Sequence, residues 1–368
     1  MKRSVLATLI LFAASVAVSA QEAVENRSLG DVARETREHV KADAQNPSAH
    51  SARVLEIIAD ISVNTAEDYT GHITELINQK DFAGLEKAAD SARSNKSRLP
   101  GGVWKLYDFY DTISKPWNGS AASEADWNTH MSFLKDWVSR QPQSTTAHIA
   151  LAAAYLKYGY KVRGNGYADT VSEEGWHALG DGANSALKEL QEAATLPVRC
   201  PYWYAAMMDV ALAQGWSRAR ARELVEQSIS YEPDFYHVYR LYANYLEPKW
   251  YGNEGEAEAF AEEISRRLGG REGDFVYFEI GSVLNCAPCG TGSPGFKLSW
   301  PRIKDGYAAM EQMYGTSNSK MNRFAFMAVK AGDRATAKDI FTTIGDHWDN
   351  ATWRRKQAFD AAREWVMQ

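Results

Sequence analysis

The feature that most constrains this chain is the stretch SYEPDFYHVYRLYANYLEPKWYG, from Ser230 to Gly252. Glu232-Pro233-Asp234 ends one helix and starts another, because proline cannot continue a helix yet fits its first turn. In the helix that follows, Tyr239, Tyr242, Ala243 and Leu246 recur at three- and four-residue spacing, the signature of one buried face. Pro248 then closes it. Helical patterns separated by short breaks of this kind favour a continuous array of hairpins over two separate globules.

Aromatic, small and aliphatic residues in this order resemble the tetratricopeptide (TPR) pattern, W-x2-L-G-x2-Y, then A-x3-F, then P. Thr65 to Gln79 and the helix carrying Leu85, Ala88 and Ala89 read as a hairpin. Leu99-Pro100-Gly101-Gly102 is a strong turn before an aromatic helix, Trp104 to Tyr110. Trp127 to Gln141 reads as a helix with Met131, Leu134 and Trp137 inward. His148-x-x-Leu151-Ala152-x-x-Tyr155 reads as a first helix, and Ala186-x3-Leu190 belongs to its delayed partner. Ala205 to Leu212 pairs with Ala221-x3-Val225, and Ser230 to Gly252 pairs with Glu256 to Leu268. Tyr277-x-x-Ile280-Gly281-x-x-Leu284 pairs with Ile303 to Met313, and Phe324-Ala325-x-x-Ala328 with Ala337-x3-Phe341. A capping helix is expected from Trp353 to Val366. The expected fold is all-α, a TPR-like helical-hairpin solenoid forming a right-handed superhelical array with enlarged intra-hairpin loops.

The N-terminus carries a different signal. Lys2 and Arg3, an apolar run from Val5 to Val18, and small residues before Gln21 form a secretory signal peptide, with cleavage expected after Ala20. A periplasmic or secreted protein follows from this, with no stable membrane span after cleavage. The segmentation is a signal peptide at 1–20, an N-terminal helical segment at 21–64, a hairpin and linker at 65–120, and a repeat array with its capping helix at 121–368. The formal charge of −6, with both signs interspersed, argues against nucleic acid.

Three cysteines, Cys200, Cys286 and Cys289, are too few for a disulfide-built scaffold. Cys286 and Cys289 can close on each other. No thioredoxin-like alternation of strand and helix surrounds them, so a bond that pins a loop is expected, with thiol–disulfide exchange as the rival. The chain contains no HExxH, GxSxG or P-loop motif, and its histidines are scattered. No catalytic residue, metal site or cofactor is assigned.

Two surfaces remain. Extra residues fall between the first and second helices of three hairpins: Arg163 to Trp176, Glu247 to Asn253 and Asn285 to Trp300. In a stack of hairpins such turns emerge along one edge, so these loops are expected to meet. Arg163, Asn165, Lys249, Trp250 and Tyr251 are the candidates there. Trp176, Trp250 and Trp300 either plug gaps between hairpins or bind cell-wall glycan. The second surface is the concave groove of the first helices, where His237, Arg240 and Asn244 share a stripe, with Trp203 and Lys157 at related positions. Arg and Asn so placed suit a peptide carboxylate or backbone.

Gly101-Gly102-Val103-Trp104, Arg163-Gly164-Asn165-Gly166-Tyr167, Cys200-Pro201-x-Trp203-Tyr204 and Leu246-Glu247-Pro248-Lys249-Trp250-Tyr251-Gly252 resemble a bacterial exported TPR-like family known only as a domain of unknown function. The resemblance covers roughly Ile73 to Leu268. It implies a helical-repeat fold and no reaction. The expected function is a noncatalytic scaffold for a protein or peptide partner.

Overall fold

The computed structural model of the protein describes residues 66–164, 166, 168–286 and 296–368. The signal peptide, the segment 21–64, Asn165 and Cys289 lie outside the described residues. Among those residues the secondary structure is helical, with one isolated β-bridge between Arg98 and Trp104. The helices are α1 (Ala66–Gln79), α2 (Phe82–Asn95), α3 (Lys105–Ile113), α4 (Glu124–Arg140), α5 (Thr145–Arg163), α6 (Glu173–Thr195), α7 (Pro201–Gln214) and α8 (Arg218–Tyr231). They continue with α9 (His237–Tyr245), α10 (Glu256–Leu268), α11 (Gly270–Leu284), α12 (Trp300–Tyr314), α13 (Asn318–Ala331), α14 (Arg334–Ile344), α15 (Asn350–Trp353) and α16 (Lys356–Met367). All belong to one compact unit, Asn64–Gln368.

Local chemistry sets most boundaries. Ser144, Ser172, Ser217 and Asp333 each accept a backbone N–H from the first turn of the helix they precede. Ser123 and Asp126 form a capping box at the start of α4. Gly332 ends α13 in the left-handed conformation, one residue before the Asp333 cap starts α14.

The hairpins α5/α6, α7/α8, α9/α10, α11/α12 and α13/α14 each pack internally. Their first helices also touch in sequence, α5 to α7, α7 to α9, α9 to α11 and α11 to α13. This arrangement is compatible with a helical repeat. Burial follows the division of labour. In α5 every residue from Thr145 to Ala154 is buried, and α7 buries nine of its fourteen residues. A helix apolar on all sides is an interior helix. In α6, by contrast, only a stripe through Leu179, Ala183, Ala186, Leu190 and Ala193 is buried among the larger residues, leaving the other face to solvent. Gly182 allows α6 to approach closely, since a Cβ there would stand 2.7 Å from the Tyr155 carbonyl oxygen.

Three expectations need correction. Helix α6 starts at Glu173, so Trp176 lies on a helix and not in a loop. In α4 the buried set includes His130 and Phe133, whereas Met131 is only half-buried. His130 Nε2 lies 2.8 Å from the Ile113 carbonyl, a polar contact that hydrophobic periodicity does not register. The expected capping helix is two helices, α15 and α16, divided at Arg354 (φ 63°). Trp353 is drawn into the core between Phe341 and Phe359, and its indole N–H donates to Asn322 Oδ1 (2.9 Å), which forces the chain to turn after it.

One contact has no counterpart in the sequence reading. The segment 97–104 reaches residues far along the chain. Trp104, fully buried, donates its indole N–H to the Asp234 carbonyl (3.0 Å) and meets Phe235 edge-on. Arg98 donates to the same carbonyl (3.1 Å) and lies over the rings of Trp104 and Tyr314. Gly101 donates to the Gly315 carbonyl (3.2 Å). Gly102, at φ 78°, sits where a Cβ would fall 2.6 Å from the Phe275 ring, so close approach and backbone conformation both require glycine. Helix α3 follows this segment and packs on α5 and α7. Part of the face expected to be an open groove is therefore filled by the chain's own α3.

Candidate functional site

The row of first helices carries a line of charged side chains on the face toward α3. At its start, Asp111 of α3 accepts from Lys157 of α5 (2.5 Å) and from Lys115 (2.6 Å). Burial alone would raise the Asp111 carboxyl, but the two ammonium groups outweigh it and hold its pKa at about 2. Asp209 of α7 lies close by. Burial, aided by Asp111 and opposed by Lys157, pushes its pKa up to about 6.

Because that value lies above the ordinary carboxylate value, native Asp209 holds its proton where the unfolded chain has already lost it. Its contribution to stability is therefore greatest at acid pH and falls as pH rises through about 6. Asp209→Asn is expected to stabilise the protein at pH 7 by about 1–3 kcal/mol, the upper figure corresponding to about two pH units. Urea titrations of both proteins at pH 4.5 and pH 7 check this; a wild-type advantage that grows toward pH 7 would contradict it.

Farther along, Tyr107 of α3 stacks on His237 of α9, with ring centroids 3.7 Å apart and planes 4° from parallel. Tyr236 lies on the imidazole's other neighbour contact, 4.2 Å away. Burial, reinforced by Arg240, Lys320 and Arg98, drives the His237 pKa well down, so the ring is neutral. One turn on, Arg240 lies 3.4 Å from the fully buried Glu279 of α11, whose other oxygen accepts from Lys320 of α13. Arg323, one turn after Lys320, completes the group. Burial lowers its pKa, and Arg240 adds to that. Arg240 keeps 28% of its side chain accessible, so the cluster opens to solvent there.

Contacts join the described parts of the three loops. Arg163 lies over the rings of Trp176 (4.9 Å) and Trp250 (6.0 Å), joining the first loop to the second. Its Nη1 donates to the carbonyls of Gly164 and Gly166. Glu247 is 1% exposed and pairs with Lys249 (3.0 Å) and, from the third loop, Lys297 (3.9 Å). Asn285 fixes the ends of that third loop by exchanging two 2.9 Å hydrogen bonds with the backbone of Lys297. Cys286 is buried and disulfide-bonded.

The sequence candidates thus separate. Lys157 and Arg240 lie along one charged line, joined through Tyr107, whose phenol senses both. His237 is in that line but is 2% exposed beneath Tyr107, so it is not the open groove residue expected. Asn244 is half-buried on α9. Trp203 is elsewhere: its indole N–H donates to the Leu190 carbonyl (2.8 Å), between α6 and α7, and it lines a cavity of about 190 Å3 with Cys200 and Tyr204. It does not join the groove, because its indole is turned toward α6. Tyr251 covers the end of α7, donating to the Leu212 carbonyl (3.1 Å). Of the tryptophans proposed for glycan, Trp300 is held by Asp333 (2.8 Å) and stacks on Phe324. Trp176 keeps 40% exposure.

Glu279, Lys320 and Arg323 escaped the sequence reading. Charged residues on a helix read as solvent-facing, and nothing in the local sequence marks these three as neighbours of Arg240. A second cavity, about 300 Å3 beside Thr70, Trp117 and His130, borders the start of the charged line through Lys115. Among the described residues no group of three or more His, Cys, Asp or Glu is placed to hold a metal ion, and no helix is long and apolar enough to cross a membrane. Comparison with family models, with curated proteins and with solved structures found no match.

Proposed function

We propose that this chain is an exported, noncatalytic TPR-like solenoid that binds a protein or peptide partner on the face of its first helices and along the loop edge. The contacts between successive first helices, and the second helices behind them, support the repeat reading. The observation that carries the functional reading is the charged line from Lys157 to Arg323. Interior charges are costly unless something repays them, and here they gather on the face that a stack of hairpins turns inward. A noncatalytic role fits a site whose ionisable groups are mostly locked in ion pairs. The exchange reading is less favoured, since Cys286 is buried and already bonded. Glycan binding through three tryptophans is less favoured, since half-buried Trp300 is bonded to Asp333 and stacked on Phe324.

The test is recovery of partners from a periplasmic extract by the immobilised mature chain, beside an Arg240→Ala, Asn244→Ala variant and a Lys249→Ala variant. A protein retained by wild type and reduced at least tenfold by the first variant is expected, with a smaller loss for the second. Equal recovery by all three would remove both surfaces.

A further inference from the structure

Five polar side-chain atoms around Arg240 are enclosed without a hydrogen bond: Tyr236 Oη, His237 Nε2, Arg240 Nε, Glu279 Oε2 and Arg323 Nη1. Buried polar atoms normally find partners, and each one left without costs about 1–3 kcal/mol. Tyr236, His237 and Glu279 are all at least 98% buried. The charges are also unequal. Arg240, Lys320 and Arg323 surround Glu279 alone, and the nearby Asp349 is committed to capping α15 through Thr352. The group therefore lacks negative charge and acceptors, while Glu279 Oε2 has the ion-pair contact with Arg240 at 3.4 Å and accepts no hydrogen bond.

Few ligand groups offer both within a few bonds. Inorganic phosphate brings charge, but its dianion sets two negative charges against Glu279 where a carboxylate sets one. The end of a peptide brings a carboxylate with several acceptor positions and, two bonds from it, an amide N–H. Carboxylates pair with guanidinium in a planar, charge-assisted geometry that suits Arg240 and Arg323. Entry is by way of the accessible part of Arg240. Tyr107, His237 and Tyr236 form a ring stack beside it.

We propose that the Arg240, Arg323 and Glu279 cluster is a binding site for the free carboxylate end of a peptide, the carboxylate held by the two arginines and the last amide N–H donating to Glu279. This rests on the reading of the first-helix face as a partner surface and names the chemistry recognised there. Tyr236 contributes its hydroxyl once the ligand arrives.

The experiment titrates the mature protein by calorimetry with N-acetylglycine, N-acetylglycinamide, acetate and inorganic phosphate. N-acetylglycine is expected to bind at least tenfold more tightly than the amide and more tightly than acetate, which lacks the N–H. Arg323→Gln should weaken it at least tenfold. Tyr236→Phe removes an atom with no partner in the free protein, so it should leave thermal stability unchanged or higher while weakening N-acetylglycine several-fold. This keeps the test informative if Arg323→Gln folds poorly. Phosphate binding as well as N-acetylglycine, equal binding of acid and amide, or an unaltered affinity in Tyr236→Phe would overturn the assignment. Loss of all fragment binding with Arg240-dependent partner capture intact would sink this site and leave the partner surface standing. Fragment binding without any captured protein would do the reverse.

Discussion

Glu279→Ala is expected to destabilise the protein by about 3–5 kcal/mol, the cost of removing one partner from a buried ion pair. Glu279 is fully buried, accepts from Lys320 and forms an ion pair with Arg240. Without it, two enclosed cations and the neighbouring Arg323 repel one another. The penalty belongs to the uncompensated charge more than to the lost bond. Glu279→Leu combined with Lys320→Met should therefore recover much of the loss, because a buried pair replaced as a unit by apolar residues is often tolerated. Urea denaturation of the two single variants and the pair gives the coupling directly. A single-variant loss below about 1 kcal/mol, in the range of exposed pairs, would mean that the cluster is solvated and the account of its burial is mistaken.

The second large effect concerns the segment before α3. Trp104→Ala should cost about 3–5 kcal/mol, the usual range for emptying a buried aromatic site. Trp104 is 0% exposed, bonds to the Asp234 carbonyl and supports Arg98. The loss would free the segment that reaches from α2 to the starts of α9 and α13. Trp117→Ala is the control, since Trp117 is 82% exposed and should change stability by no more than about 0.5 kcal/mol. Comparable effects from the two tryptophans would contradict the tethering role.

These two residues also mark how far the sequence could be read. Helix ends were legible because Pro233, Gly332 and the serine and aspartate caps act within a turn or two of where they stand. The face of α9 was legible because Tyr239, Tyr242 and Ala243 are buried against neighbours on one side. Trp104 was read only as part of an aromatic helix, because its partners are more than a hundred residues away and leave no local trace. Glu279 was invisible for a different reason. Hydrophobic periodicity separates apolar from polar faces, but it cannot tell a polar face turned to solvent from one turned toward neighbouring helices. Arg240 was found because a guanidinium beside a buried stripe draws notice. The glutamate and lysine that give it meaning were not, since charged residues on helices are ordinarily solvated. The contact between loops was expected from a stack of hairpins, and Arg163 lies over Trp250.

The claim that the first-helix face and the loop edge are where a partner sits is tested most directly by lysine footprinting. The mature protein, free and loaded with the captured partner, is treated briefly with an acetylating reagent, and modification is read by mass spectrometry. Lys157 and Lys249 mark the charged line and the loop edge, while Lys188 on α6 and Lys338 on α14 are exposed on second helices. The account predicts that the partner shields Lys157 and Lys249 and leaves Lys188 and Lys338 as reactive as before. Shielding of Lys188 and Lys338 with Lys157 and Lys249 unchanged would contradict it.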